Sequence, residues 1–95
     1  MRVRLSTSRG FVEEIGVPTV LHHEGFRFFF YSNEGDEPPH IHVERAEAAA
    51  KFWLHPDVRL AWSIRFRQRD RTRLQSLVEQ HQESFLEKWD EFFER

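Results

Sequence analysis

From Thr19 to Trp62 short apolar runs alternate with clusters of turn residues, and from Asp70 onward apolar residues recur every third or fourth position. The first pattern predicts strands and the second a helix. Thr19-Val20-Leu21-His22 reads as a strand and Glu24-Gly25 as a tight turn. Phe26-Arg27-Phe28-Phe29-Phe30-Tyr31 reads as a second strand, apolar on both faces apart from Arg27. Such a strand is central and covered on both sides; the terminal helix supplies one cover, and the amino-terminal leader or a second subunit the other. Ser32 to Pro39 is a polar loop rich in turn residues. His40–Arg45 and Ala49–Leu54 follow as strands joined by a turn near Ala46-Glu47. The hydrophobic pattern sets their register: Ile41 and Val43 share the core face with Ala50 and Phe52, leaving His40, His42 and Glu44 on the opposite face with Lys51 and Trp53. After the turn His55-Pro56-Asp57, Val58–Trp62 forms a fifth strand.

Leu74, Leu77, Val78, His81, Phe85, Trp89 and Phe92 mark one helical face. With Asp70 as N-cap and neither Gly nor Pro to interrupt it, a single long helix runs to Arg95, with room for a bend near Gln80–Glu83. Residues 1–16 read as an irregular leader and 17–95 as a single α+β domain. The expected fold is an antiparallel sheet of four or five strands with a long C-terminal helix packed on one face.

Composition sharpens this picture. Ninety-five residues make one small domain, and ten Phe, three Trp and one Tyr give it an aromatic core without staples. The absence of Cys excludes disulfides and thiolate metal sites. No apolar run approaches the roughly 20 residues of a membrane span, and Met1–Leu5 lacks a signal peptide's apolar centre; no membrane partner and a cytoplasmic location are expected. The net charge of −2 is unevenly spread. Six Arg and one Asp lie between Arg59 and Arg73, whereas six acidic residues and one Lys lie between Glu79 and Glu94. This order opposes the helix dipole, so the charges point to another interaction: an anion, a head-to-tail homodimer, or internal pairing.

Candidate chemistry is concentrated in Glu37-Pro38-Pro39-His40-Ile41-His42-Val43. Two prolines stiffen the approach to a strand, in which residues i and i+2 share a face. His40 and His42 are therefore side by side, as a proton-transfer pair or as two metal ligands. Glu44, two residues further on, is the expected third ligand for a divalent metal; His22, His23, Glu34, Asp36 and His55 are others that a sheet could bring close. The blander reading is that the imidazoles bond the loop backbone or stack on Trp53. No other cofactor is called for. A second constellation, Arg65, Arg67, Arg69, Arg71 and Arg73, suits phosphate or nucleic acid, with Trp53, Trp62 and Phe66 as stacking surfaces. Against this, the chain is slightly acidic overall, and pairing within the molecule is the simpler account. Phe85, Trp89, Phe92 and Phe93 exceed what one helical stripe on a sheet can use, which points to a homodimer or a partner protein. No Gly-x-Ser-x-Gly, phosphate-binding glycine loop or His-Glu-x-x-His is present.

Pro18-Thr19-Val20, Phe28 to Gly35, Glu37 to Glu44, Ala50 to Leu54 and Trp89 to Phe93 together resemble the bacterial domain of unknown function family 4160, over roughly residues 17–94. The leader before Val17 lies outside the resemblance. The family consists of small proteins often encoded beside another small protein, which implies a toxin–antitoxin-like pair. The expectation is a protein–protein interaction module whose partner is the product of a neighbouring gene. The alternatives are a small nuclease using His40 and His42, and a nucleic-acid-binding regulator.

Overall fold

The computed structural model describes residues 18–93. The leader expected over residues 1–16, Val17 and the last two residues lie outside that range. Within it five strands, β1 (Thr19–His23), β2 (Phe26–Phe29), β3 (His40–Arg45), β4 (Ala48–Trp53) and β5 (Arg59–Ile64), form one antiparallel meander in the order β1-β2-β3-β4-β5. Two helices follow, α1 (Gln68–Gln80) and α2 (Gln82–Phe93). This is the α+β architecture expected from the hydrophobic pattern.

Local chemistry explains the short connections. Glu24 and Gly25 between β1 and β2 both have positive φ, 55° and 82°, as a two-residue hairpin turn matched to strand twist requires. The β3–β4 register is the one the apolar pattern selects: Ile41 opposes Phe52 and Val43 opposes Ala50. Phe26, Phe28, Phe30, Ile41, Val43, Ala50, Phe52 and Leu54 thereby turn one face of the sheet into a continuous apolar floor. Leu74, Leu77, Val78, Phe85 and Trp89 pack onto it, all essentially without solvent contact. Gln75 and Gln82 fasten the helices to the sheet ends by donating their side-chain amides to the Val58 carbonyl at 3.0 Å and the Leu54 carbonyl at 2.7 Å.

One expectation for the helical part is corrected. Asp70 is not the N-cap: α1 begins at Gln68, with extended Arg67 before it. Asp70 lies in the first turn, where a carboxylate suits the dipole, and pairs with Arg45 at 3.0 Å. The helix is divided at His81, within the Gln80–Glu83 stretch where the sequence left room for a bend. His81 breaks it because its ring Nδ1–H donates to the Leu77 carbonyl at 2.9 Å, the acceptor also used by its own backbone N–H at 3.0 Å. A side chain that bonds the preceding turn in this way competes with helix continuation.

Of the two covers expected for β2, the helical one is described, and the amino-terminal leader lies outside the described residues. Both helices lie on the Phe28 side. On the other side the Arg27 guanidinium lies 4.4 Å from the Phe29 ring centre and the His42 ring stacks on it at 5.5 Å.

Candidate functional site

The face opposite α1 and α2 carries a row of side chains from four neighbouring strands, Phe29, His42, Lys51 and Trp62, each opposite the next in the strand register. At one end of this face the chain leaves β2 at Phe30 and makes a short 3-10 turn over Ser32–Glu34. It returns through Pro38-Pro39 into β3. The loop is held at several points. The Glu34 N–H donates to the Tyr31 carbonyl at 3.2 Å, the Glu37 N–H to the Glu34 carbonyl at 3.1 Å, and the Leu54 N–H to the Pro39 carbonyl at 3.0 Å. Gly35 is needed at its position because a Cβ there would lie 2.6 Å from Cδ1 of Phe93. The loop is therefore seated against the end of α2, and this contact fixes where Glu34 points.

Glu34 points at the histidine pair. Its Oε1 lies 2.7 Å from Nε2 of His40 and 2.8 Å from Nε2 of His42. One carboxylate oxygen thus joins the two imidazoles that the strand places on one face. His40 is fully buried and His42 is 5% exposed. The His40 ring sits 5.6 Å from Trp53 and 4.9 Å from Trp89, centre to centre. Tyr31 closes the other side of His42 edge-on at 4.6 Å.

Hydrogen bonding constrains the protons. The Pro38 carbonyl can only accept, so Nδ1 of His40, at 2.9 Å, carries a proton. Burial pushes the Glu34 carboxyl up, but the hydrogen bonds from His40 and His42 outweigh it and hold Glu34 below the usual carboxylate range. Glu34 is then an ionised acceptor, and the Nε2 atoms of both histidines donate to it. Burial pushes His42 below the ordinary imidazole value, and the attraction of Glu34 only partly offsets this. His42 is accordingly a neutral donor. Beside this group Lys51 donates to Glu37 Oε1 at 2.7 Å and lies 4.4 Å from the Trp53 ring centre.

The residues singled out in the sequence separate clearly. His40 and His42 come together. Glu44, expected as their third partner, does not join them: its carboxylate accepts from Arg27 at 2.9 Å, drawn there because Arg27 is its direct cross-strand neighbour. Its place is taken by Glu34, which the sequence offered only as one of several acids. Among the described residues, Glu34, His40 and His42 are the group of three whose ligand atoms all lie within 4.8 Å of one another; His22, His23, Asp36 and His55 are not in it.

The arginines diverge. Arg65 reaches Glu47 in the β3–β4 turn at 2.7 Å. Arg71 donates to the Phe66 carbonyl. Arg73 holds both carboxylate oxygens of Glu24 in the β1–β2 turn, and this contact keeps Glu24 below its usual range. Arg67 and Arg69 are exposed. The helical aromatics also divide: Phe85 and Trp89 are core, whereas Phe92 keeps 40% of its surface. No helix among the described residues is long and apolar enough to cross a membrane.

The family model described as Domain of unknown function (DUF4160) matches residues 25–90. The match spans β2 to most of α2 and contains the whole Glu34 loop. No curated protein and no solved structure matches the chain.

Proposed function

This chain belongs to the DUF4160 family, and on that premise we propose that it is a protein–protein interaction module. In this reading it is one half of a toxin–antitoxin-like pair, acting in the cytoplasm with the small protein encoded by a neighbouring gene. The observation that carries the proposal is β5. It is an edge strand of the described sheet; Trp62 and Ile64, on the face of Lys51, keep 42% and 53% of their surface exposed, and Leu60, opposite Phe52, keeps 40%. Large apolar residues on an open edge are a liability for a protein that works alone and a ready platform for a partner strand. Tyr31, also 40% exposed, extends the apolar surface across the face opposite α1 and α2 toward the Glu34 loop.

A tagged copy co-expressed with its genomic neighbour should retain that protein through purification. Trp62→Ser combined with Ile64→Asp should release it while leaving the fold intact, since both side chains are surface residues. A monomer that recovers nothing, or a complex indifferent to the double substitution, would contradict the proposal.

The nuclease alternative draws support from the pairing of two imidazoles on one carboxylate. It predicts RNA or DNA cleavage that is lost in folded His40→Ala and His42→Ala proteins. The burial of His40 weighs against it, because a proton-transfer group must reach its substrate. A nucleic-acid-binding role draws on exposed Arg67 and Arg69 and predicts salt-dependent affinity that falls when both are replaced. It has less support, since Arg65 and Arg73 are already engaged by carboxylates.

A further inference from the structure

We propose that Glu34, His40 and His42 form a binding site for one divalent transition-metal ion of the zinc class, a reading independent of the docking role of β5. The donor set is two imidazoles and one carboxylate, which zinc accepts with a further position left open. The three ligand atoms are already gathered: Glu34 Oε1 lies 2.7 and 2.8 Å from the two Nε2 atoms, all three fall within 4.8 Å of one another, and the ion takes the place of the Nε2 protons that point at Oε1, which are released to solvent. Zinc bonds of about 2.0–2.2 Å in a tetrahedral arrangement set neighbouring donors about 3.3 Å apart. The cluster therefore has to open by about half an ångström. Glu34 can provide this movement, since it stands on a short turn and its side chain is 22% exposed.

The orientation of the rings is the second, independent observation. His40 donates its Nδ1 proton to the Pro38 carbonyl at 2.9 Å. A backbone carbonyl behind a histidine in this way fixes the tautomer that presents the other nitrogen to a metal. Here a residue of the diproline approach performs that task, and the ring has no freedom to turn between Trp53 and Trp89. His42 is held likewise by stacking on Phe29, with ring planes 21° apart. Both ligands are thus aligned before any ion arrives, and the apolar walls strengthen charge–dipole contacts inside them. Lys51, a cation on the same face that would repel a metal ion, is offset by Glu37 at 2.7 Å. The site supplies three protein ligands and opens toward the Glu34 side, where water or a partner side chain completes the coordination.

The full chain, stripped with a chelator and dialysed, is titrated with zinc chloride and separately with cobalt(II) chloride. The expected result is saturable uptake of one equivalent, with the visible absorption of four-coordinate cobalt that zinc abolishes. Long-range nitrogen NMR of the histidines should show Nε2 of His40 and His42 shifting on zinc addition, with Nδ1 of His40 still protonated and His22, His23, His55 and His81 unmoved. Glu34→Gln, whose amide keeps the size of the side chain, should weaken binding at least tenfold, and Glu44→Gln should leave it unchanged. If Glu34→Gln does not fold, the NMR of the unmodified chain decides. Absence of saturable uptake would overturn the proposal, as would signals that move only at His22, His23 or His55, or equal affinity in folded Glu34→Gln. Retention of the partner protein is a separate readout, so this site and the docking surface can fail independently.

Discussion

The histidine pair and the arginine run are written alike, as one residue type at alternate positions, yet one converges on a single oxygen atom and the other fans out. The difference lies in the backbone beneath them. His40 and His42 sit within a regular strand, where alternate residues share a face. Arg65 closes β5 with a φ of 65°, Arg67 is still extended, and α1 starts at Gln68. Alternate side chains on a helix point in different directions, so Arg71 and Arg73 are turned away from Arg65 and from each other. Sequence spacing predicts convergence only where the secondary structure holds its period throughout.

If this contrast is real, substitutions on its two sides should differ sharply. The largest loss is expected for His40→Ala. It removes a fully buried ring, strands the Pro38 carbonyl and leaves the Glu34 carboxylate with one imidazole instead of two; such combinations of cavity and lost partners cost about 3 kcal/mol or more. Urea denaturation should show the midpoint falling by that equivalent. Next comes Gly35→Ala, which attacks the cluster from behind. Its φ is −65°, so alanine is acceptable to the backbone, but the new Cβ meets the Phe93 ring at 2.6 Å. Overpacking of this kind costs roughly 1–3 kcal/mol, and Phe93→Leu in the same chain should recover part of it.

Acidification of chelator-treated protein should have a smaller, staged effect. His42 is held below the ordinary imidazole value of 6.5, so the unfolded chain takes up its proton first and stability declines as pH falls below that value. Glu34 is held below 4.5, and the stability its ionised form contributes is lost in a second decline at lower pH. Both steps have the same sign. Denaturant titrations from pH 8 to pH 3 should show them, with the upper step missing in folded His42→Gln. Least affected should be Arg73→Ala. Its pairing with Glu24 is exposed to solvent, where ion pairs contribute little, so the denaturation midpoint should stay where it is.

Much of the fold was legible because its apolar residues follow the periods of the elements they build. Ile41 and Val43 alternate with the histidines, and one register alone pairs them with Phe52 and Ala50; the β3–β4 hairpin follows from that. The helix break was less accessible. His81 fits the apolar stripe by spacing, and only the placement of its ring against the Leu77 carbonyl turns it into a terminator. Asp70 looked like a cap because nothing in the sequence reveals that Arg67 and Gln68 already complete the turn before it. The same limit applies to the site. His40 and His42 lie on a regular element and could be paired from spacing. Glu44 shared their face, but a face is wide, and the neighbour that claims Glu44 comes from β2. Glu34 and Asp36 were equivalent loop acids until the folded loop set Glu34 between the two imidazoles. Side chains on regular elements can be placed by period, whereas those on loops are placed by distant contacts.

The central claim is that one carboxylate unites the two histidines into a single unit, and a double-mutant cycle tests it most directly. Glu34→Gln, His42→Gln and the double variant, compared by urea denaturation in chelator, should show a coupling energy of about 1–3 kcal/mol, as expected for residues in one hydrogen-bond network. Additivity to within about 0.5 kcal/mol in three folded proteins would mean that Glu34 and His42 act independently, and the account of the site would be wrong.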